Sequence, residues 1–112
     1  MLKQPNARWR AASAPLFAAL GDETRLGLVS TLSTAGPQSI ARLTAGTQVT
    51  RQAVTKHLRV MEKAGLVSAT RHGKEQRWEF VPAGLEEVRR SLDVISQQWD
   101  AALGRLKTFV ER

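Results

Sequence analysis

A mostly α-helical domain with a small β-hairpin wing and a long C-terminal helix is the fold class that this 112-residue sequence predicts. Three features of the chain carry the prediction. The run "TRQAVTKHL", Thr50 to Leu58, has helical periodicity with a polar outer face. After Gly65 the apolar period changes from helical to alternating. From Leu85 to Phe109 apolar residues keep a heptad spacing without a break.

The elements follow in order. "APLFAALG" reads as a short first helix with Pro15 in its first turn and Gly21 at its end. Asp22 is placed to cap the next helix, "DETRLGLVSTLS", where Leu26, Val29 and Leu32 recur at spacings of three as an apolar face before "AGP" breaks it. Ser39 opens a short helix, "SIARLTAG", with Ile40 and Leu43 inward and Gly46 at its end. Thr50 is a good N-cap for the quoted helix, which runs to about Ala64 and Gly65. "LVSATR" and "QRWEFV" then alternate as strands around "HGKE", which holds the glycine that a hairpin turn needs. Trp78 and Phe80 alternate with Arg77 and Glu79, so one face of the hairpin is apolar and the other charged. Pro82 ends the second strand, and from about Ala83 a long helix runs nearly to the C-terminus.

Composition bounds what such a chain does. With 42% apolar residues it has material for one core, hence a single domain over 1–112: a basic N-terminal arm over 1–13, helices and wing over 14–81, and the last helix over 82–112. No apolar run reaches membrane-spanning length, and "MLKQPNARWR" lacks the apolar centre of a signal peptide. The expected location is the cytoplasm, with no membrane partner. Cysteine is absent, which removes disulfides, thiolate nucleophiles and thiolate metal sites together. There is no glycine-rich phosphate loop and no Ser/His/Asp arrangement with supporting motifs. The adjacent acids Asp22 and Glu23 are accounted for by helix capping. No enzyme activity and no cofactor are expected.

The net charge of +7 suggests a polyanionic partner, and its distribution sharpens the suggestion. Residues 1–13 carry Lys3, Arg8 and Arg10 with no acid; residues 14–36 are net −1. Residues 37–81 hold eight bases against Glu62, Glu75 and Glu79, and residues 82–112 balance. A merely soluble surface would spread such an excess.

In the helix opened by Thr50, Val54, Leu58 and Met61 share one narrow stripe at about 100° per residue. Gln52, Thr55, Lys56 and Arg59 fall together opposite, with no acid until Glu62. Taken alone, this could be an ordinary solvated face. Joined to two preceding short helices, a tight turn and a charged hairpin, it composes a winged helix-turn-helix whose recognition helix is the quoted run. A B-form major groove, about 12 Å wide, admits one helix, and amides, hydroxyls and cations read its base edges. An acid on that face would meet phosphate repulsion. The candidate DNA-binding residues are therefore Thr50, Arg51, Gln52, Thr55, Lys56 and Arg59 on the helix, with Arg71, His72, Lys74 and Arg77 on or beside the hairpin turn. Double-stranded DNA is the expected partner.

"LFAALGDETRLGLVSTL", "TRQAVTKHLRVMEKAGLV" and "RHGKEQRWEF" resemble successive signature blocks of the ArsR/SmtB family of bacterial winged-helix repressors, over about residues 14 to 82. The resemblance implies a homodimeric transcriptional repressor that binds an imperfect inverted repeat over a promoter and is released by an inducing signal. It also marks departures. Metal-sensing members carry a Cys-x-Cys pair on the helix before the recognition helix, where this chain has "SIARLTAG". Others build a zinc site from Asp and His on the last helix, which here holds Glu86, Glu87, Asp93 and Asp100 but no histidine. Carboxylates alone are poor ligands for zinc, so no metal site is expected and the inducer is left unspecified. Of the two histidines, His57 lies beside the apolar stripe as a packed, hydrogen-bonded residue, and His72 sits in the hairpin turn facing solvent or phosphate.

In the last helix Leu85, Val88, Leu92, Ile95, Trp99, Ala102, Leu106 and Phe109 are separated alternately by three and four residues. That is an a/d seam over more than three heptads. A helix this long has few partners in so small a domain, so a seam between subunits is favoured over packing on its own domain. In the family the first and last helices form the dimer interface, so the resemblance adds Leu16, Phe17 and Leu20. Trp99 is read as a core residue of that seam before a wall of a small-molecule pocket. The alternative function is a winged-helix interaction module acting mainly through a protein partner, and Trp9-Arg10 on a mobile basic arm would serve either function.

Overall fold

The computed structural model describes residues 7–111. Five helices and a three-stranded sheet follow one another as α1 (Ala7–Leu20), α2 (Glu23–Ala35), β1 (Gln38–Ser39), α3 (Ile40–Ala45), α4 (Arg51–Lys63), β2 (Val67–His72), β3 (Glu75–Phe80) and α5 (Pro82–Val110). The caps are those that short polar side chains form best. Asp22 Oδ2 accepts from Arg25 N at 3.0 Å, Ser39 Oγ from Arg42 N at 3.2 Å and Thr50 Oγ1 from Ala53 N at 3.1 Å. At the far end of α4, Leu66 N donates to Met61 O and Gly65 N to Glu62 O, with Gly65 at a φ of +87°. This is a Schellman stop, which needs a residue tolerant of positive φ.

The sheet is antiparallel in the order β1-β3-β2. β2 and β3 form the hairpin, with His72 opposite Glu75 and only Gly73 and Lys74 between them. Gly73 has a φ of +65° and Lys74 does not have a positive φ, the arrangement of a type II′ turn, whose twist suits a hairpin. β1 adds a two-residue strand on the other edge of β3, pairing Gln38 with Trp78. The core lies where α1, α2, α3, α4 and the base of the hairpin meet. Leu28, Leu32, Leu43, Val54, Leu58, Met61, Leu66, Val67 and Trp78 are buried in it.

Three expectations are corrected. Residues 7–13 are not an arm but the first turns of α1, and Trp9-Arg10 is helical; Lys3 lies outside the described residues. Pro15 is consequently inside the helix, where it forfeits one backbone bond. Trp9, Ser13, Leu16 and Leu20 fall at helical spacing and all are partly or fully buried. Ser13 is hydrogen-bonded to Ser91 of α5 in the interior, so tertiary packing outweighs the proline. On α2, Leu26 points outward and is 53% exposed. Leu28 and Leu32, four apart, hold the core face; Leu26 lies about 160° around the helix from Leu28, so the three-residue spacing drifts off the face. Lastly, β1 has no counterpart among the expected elements: two residues bounded by a proline and a helix cap carry no alternating pattern.

α5 gives the molecule its shape. Its 29 residues span about 43 Å. The chain measures 64 × 30 × 20 Å with a radius of gyration of 18.1 Å, against about 13 Å for a compact domain of this length. Leu85 and Val88 pack against the core beside α1, while every residue from Ser96 to Glu111 is exposed. No helix among the described residues is long and apolar enough to cross a membrane.

Candidate nucleic-acid interface

α4 is anchored by its inward stripe, since Val54, Leu58 and Met61 have no exposed surface. A second anchor is polar. Arg25 Nη1 of α2 donates to His57 Nδ1 at 3.1 Å, and the same side chain donates through Nε to Ala19 O of α1. Since guanidinium can only donate, His57 Nδ1 is the acceptor and the ring proton sits on Nε2. Asp22 Oδ2 lies 3.9 Å from His57 Nδ1. The Asp22 carboxyl is held below its usual range, chiefly because Arg25 N–H donates to it, with the charge of Arg25 adding to the effect. His57 therefore joins the helix to the α1–α2 junction.

The ten residues predicted to meet DNA do not stand alike. Arg51, Gln52 and Lys56 are exposed along the outer face of α4, and Arg71, His72 and Lys74 are exposed at the hairpin tip. Among the described residues none of the cations Arg51, Lys56, Arg71 and Lys74 makes an ion pair. The other four are engaged within the chain. Thr50 is the helix cap, and Thr55 Oγ1 donates to Arg51 O at 2.9 Å. Arg59 Nη1 pairs with Glu62 at 2.9 Å, and its guanidinium lies 5.3 Å above the indole of the buried Trp78. Arg77 Nε pairs with Glu75 at 2.9 Å. Arg59 thus bridges α4 to the central strand of the sheet, a cation–π contact that contributes about 0.5–1 kcal/mol at an exposed site.

Helix and wing converge on one groove. Arg51 of α4, Ser39, Ile40 and Ala41 at the start of α3, and Lys74, Glu75 and Gln76 of the wing line it together. A neighbouring groove is lined by Pro37, Gln38, Arg42, Glu75 and Arg77. Of the charged residues lining these grooves, sequence reasoning missed two, Arg42 and Glu75. The signal for Glu75 was its place in the hairpin turn; Arg42 sits on a helix too short to reveal a face.

The predicted subunit seam divides in two. Leu16 is in the core of its own chain, and Phe17, Leu20, Leu85, Val88 and Ile95 are partly buried. Leu92, Trp99, Ala102, Leu106 and Phe109 are exposed, Trp99 to 67% and Phe109 to 73%. Leu103 and Val110, also exposed, widen the strip and escaped the a/d count because they stand four residues after Trp99 and Leu106. Among the described residues no three His, Cys, Asp or Glu side chains gather as metal ligands.

Comparison with known proteins agrees with this geometry. Residues 20–68 match the family described as a helix-turn-helix domain. An HTH-type transcriptional regulator of Mycobacterium tuberculosis is 32% identical over 101 residues, which cover 90% of this chain and 83% of that one. The structure of an ArsR-like transcriptional regulator from a Rhodococcus species superposes with a TM-score of 0.72 at 36% identity, covering 88% of this chain and 92% of that one. A homodimeric winged helix-turn-helix DNA-binding domain from Mycobacterium bovis shares the fold at a TM-score of 0.63 and 21% identity, with 89% of each chain covered.

Proposed function

The chain belongs to the helix-turn-helix transcriptional regulators of the ArsR-like type, and from that premise we propose that it is a homodimeric repressor of an inverted-repeat operator. One observation carries the reading. Unpaired cations from the start of α4 and from the wing tip, Arg51 and Lys74, face a single groove, and Gln52 and Lys56 continue the same exposed surface. Gln52 and Lys56 reach base edges in the major groove, while Arg71, His72 and Lys74 follow the flanking backbone. Pairing of two copies through the exposed strip of α5 sets two such surfaces about one helical turn of DNA apart. The homodimeric Mycobacterium bovis domain of the same fold supports that assembly. Repression follows when the dimer occupies promoter DNA that polymerase needs.

The test is in vitro selection of duplexes from a random pool, followed by titration of the best duplex at several salt concentrations. Three unpaired cations per subunit outside the base-reading pair, Arg51, Arg71 and Lys74, give six per dimer. If all meet phosphate, log affinity falls with log salt at a slope of about −5, a loss on the order of 10³ between 50 and 200 mM. Selection of an inverted repeat with such a slope supports the reading. A slope near zero would point instead to a protein-interaction module whose contacts are largely apolar.

A further inference from the structure

Glu75 is an acid where the surface otherwise calls for cations. It stands at the first position of β3, opposite His72 and next to Lys74 in the tight turn. Its carboxylate pairs with Arg77 at 2.9 Å, and both side chains remain about half exposed, so the pair is not a buried structural bridge. It lines both grooves of the interface, facing Arg51 and Lys74 in one and Arg42 and Arg77 in the other. Exposed ion pairs contribute little to folding, so stability gives no reason for the acid to be there.

We propose that Glu75 is a specificity-determining residue that weakens the hold of this protein on non-operator DNA. The inference rests on the DNA-binding reading above. Binding to arbitrary sequence is almost wholly a matter of phosphate contacts and counterion release. On such DNA the carboxylate acts twice: it withholds Arg77 from phosphate and repels any phosphate that approaches the wing tip. On an operator, base contacts from α4 fix the register, and the wing sits in one place rather than wherever phosphate density is greatest. Base-edge amines can donate to a carboxylate; phosphates cannot. The acid therefore penalises arbitrary sequence more than the operator, and the ratio between the two is widened by repulsion rather than by added attraction.

The experiment compares wild type with Glu75→Gln, an isosteric change at an exposed site, whose melting temperature is measured first to confirm an unchanged fold. The probes are the best duplex recovered by selection with the wild-type protein and a shuffled duplex of the same composition, each titrated between 50 and 200 mM salt. Freeing Arg77 in both subunits adds two phosphate contacts. The shuffled-duplex slope then steepens by about 1.8, and the ratio of Kd at 200 mM to Kd at 50 mM grows about twelvefold. Glu75→Gln should bind the shuffled duplex more tightly and lose discrimination between the duplexes. In Glu75→Gln/Arg77→Gln the steepening should vanish. Equal gains on both duplexes, or an unchanged shuffled-duplex slope while wild type still shows salt-dependent binding, would overturn the role of Glu75. Salt-independent binding by wild type would overturn the DNA reading itself, and this inference with it.

Discussion

Alanine at Gly84 is expected to loosen the joint between the recognition helix and the long C-terminal helix. An ideal Cβ at Gly84 falls 2.2 Å from Gly65 O, 3.1 Å from Gly65 C and 3.4 Å from Leu66 Cα. Side-chain carbons keep at least 3.0 Å from such atoms, so the two backbones must part by 0.8 Å or more. No rotamer change relieves the clash, because the obstructing atoms are main chain. They are held by Leu66 N to Met61 O and Val81 N to Leu66 O, both 2.9 Å. Overpacking costs ~1–3 kcal/mol, and a backbone-on-backbone clash belongs at the top of that range. The better helix propensity of alanine returns up to about 1 kcal/mol. A net loss of about 2 kcal/mol lowers the melting temperature by roughly 5–10 °C. Gly104 in the same helix is the control. Nothing lies within 4 Å of its added Cβ, so Gly104→Ala should stabilise by about 0.5–1 kcal/mol. Thermal unfolding followed by far-UV circular dichroism, at one fixed protein concentration, reads both. Equal melting of Gly84→Ala and wild type would refute the close approach.

Other outcomes follow from the same structure. Leu92→Glu or Ile95→Lys places charge on the α5 strip and should yield monomers without tight operator binding; sedimentation showing wild type itself monomeric at micromolar concentration would contradict this. Gln52→Ala should relax preference at one base position per half-site at a cost of about 1–3 kcal/mol, whereas Lys74→Ala should weaken all sequences alike and flatten the salt slope by about one unit per subunit, both read by binding to operator and shuffled duplexes. The carboxyl of Asp22 titrates lower folded than unfolded, so its contribution is present above about pH 4 and is lost as pH falls below that. Asp22→Asn should keep the helix cap but flatten this acid limb of stability, and unfolding titrations with urea across pH 2–6 check it.

Local chemistry made most of the fold legible. Asp22, Ser39 and Thr50 can satisfy free backbone N–H groups at a helix start, and all three do so. Gly36, Gly65 and Gly73 stand at the three places among the described residues where the backbone takes a positive φ. The alternation around "HGKE" yielded the hairpin with its strands one residue longer into the turn than expected. What escaped depended on contacts distant in sequence. The start of α1 is settled by Ser13 meeting Ser91, 78 residues away, against the local preference of Pro15 for a first turn. Leu26 and Leu28 are equally apolar, and only the position of the core decides which is buried. For the candidate interface, residue type located the cations. It did not reveal that Arg59 leans on Trp78 or that Arg77 is held by Glu75, since pairing is a property of geometry and not of composition.

In the proposed dimer the bare half of α5 would tie DNA occupancy to protein concentration. Its last four turns, from Ser96 onward, are exposed at every residue. Pairing as proposed would cover Trp99, Leu103, Leu106 and Phe109 and firm those turns against the second copy. Ordering that segment and pairing two chains are then one event, whose extent follows the product of two monomer concentrations. Below the dissociation constant of the pair, filling of a two-half-site duplex rises with the square of protein concentration rather than in proportion to it. In that regime a halving of abundance, at cell division or by proteolysis, would thin the bound population fourfold.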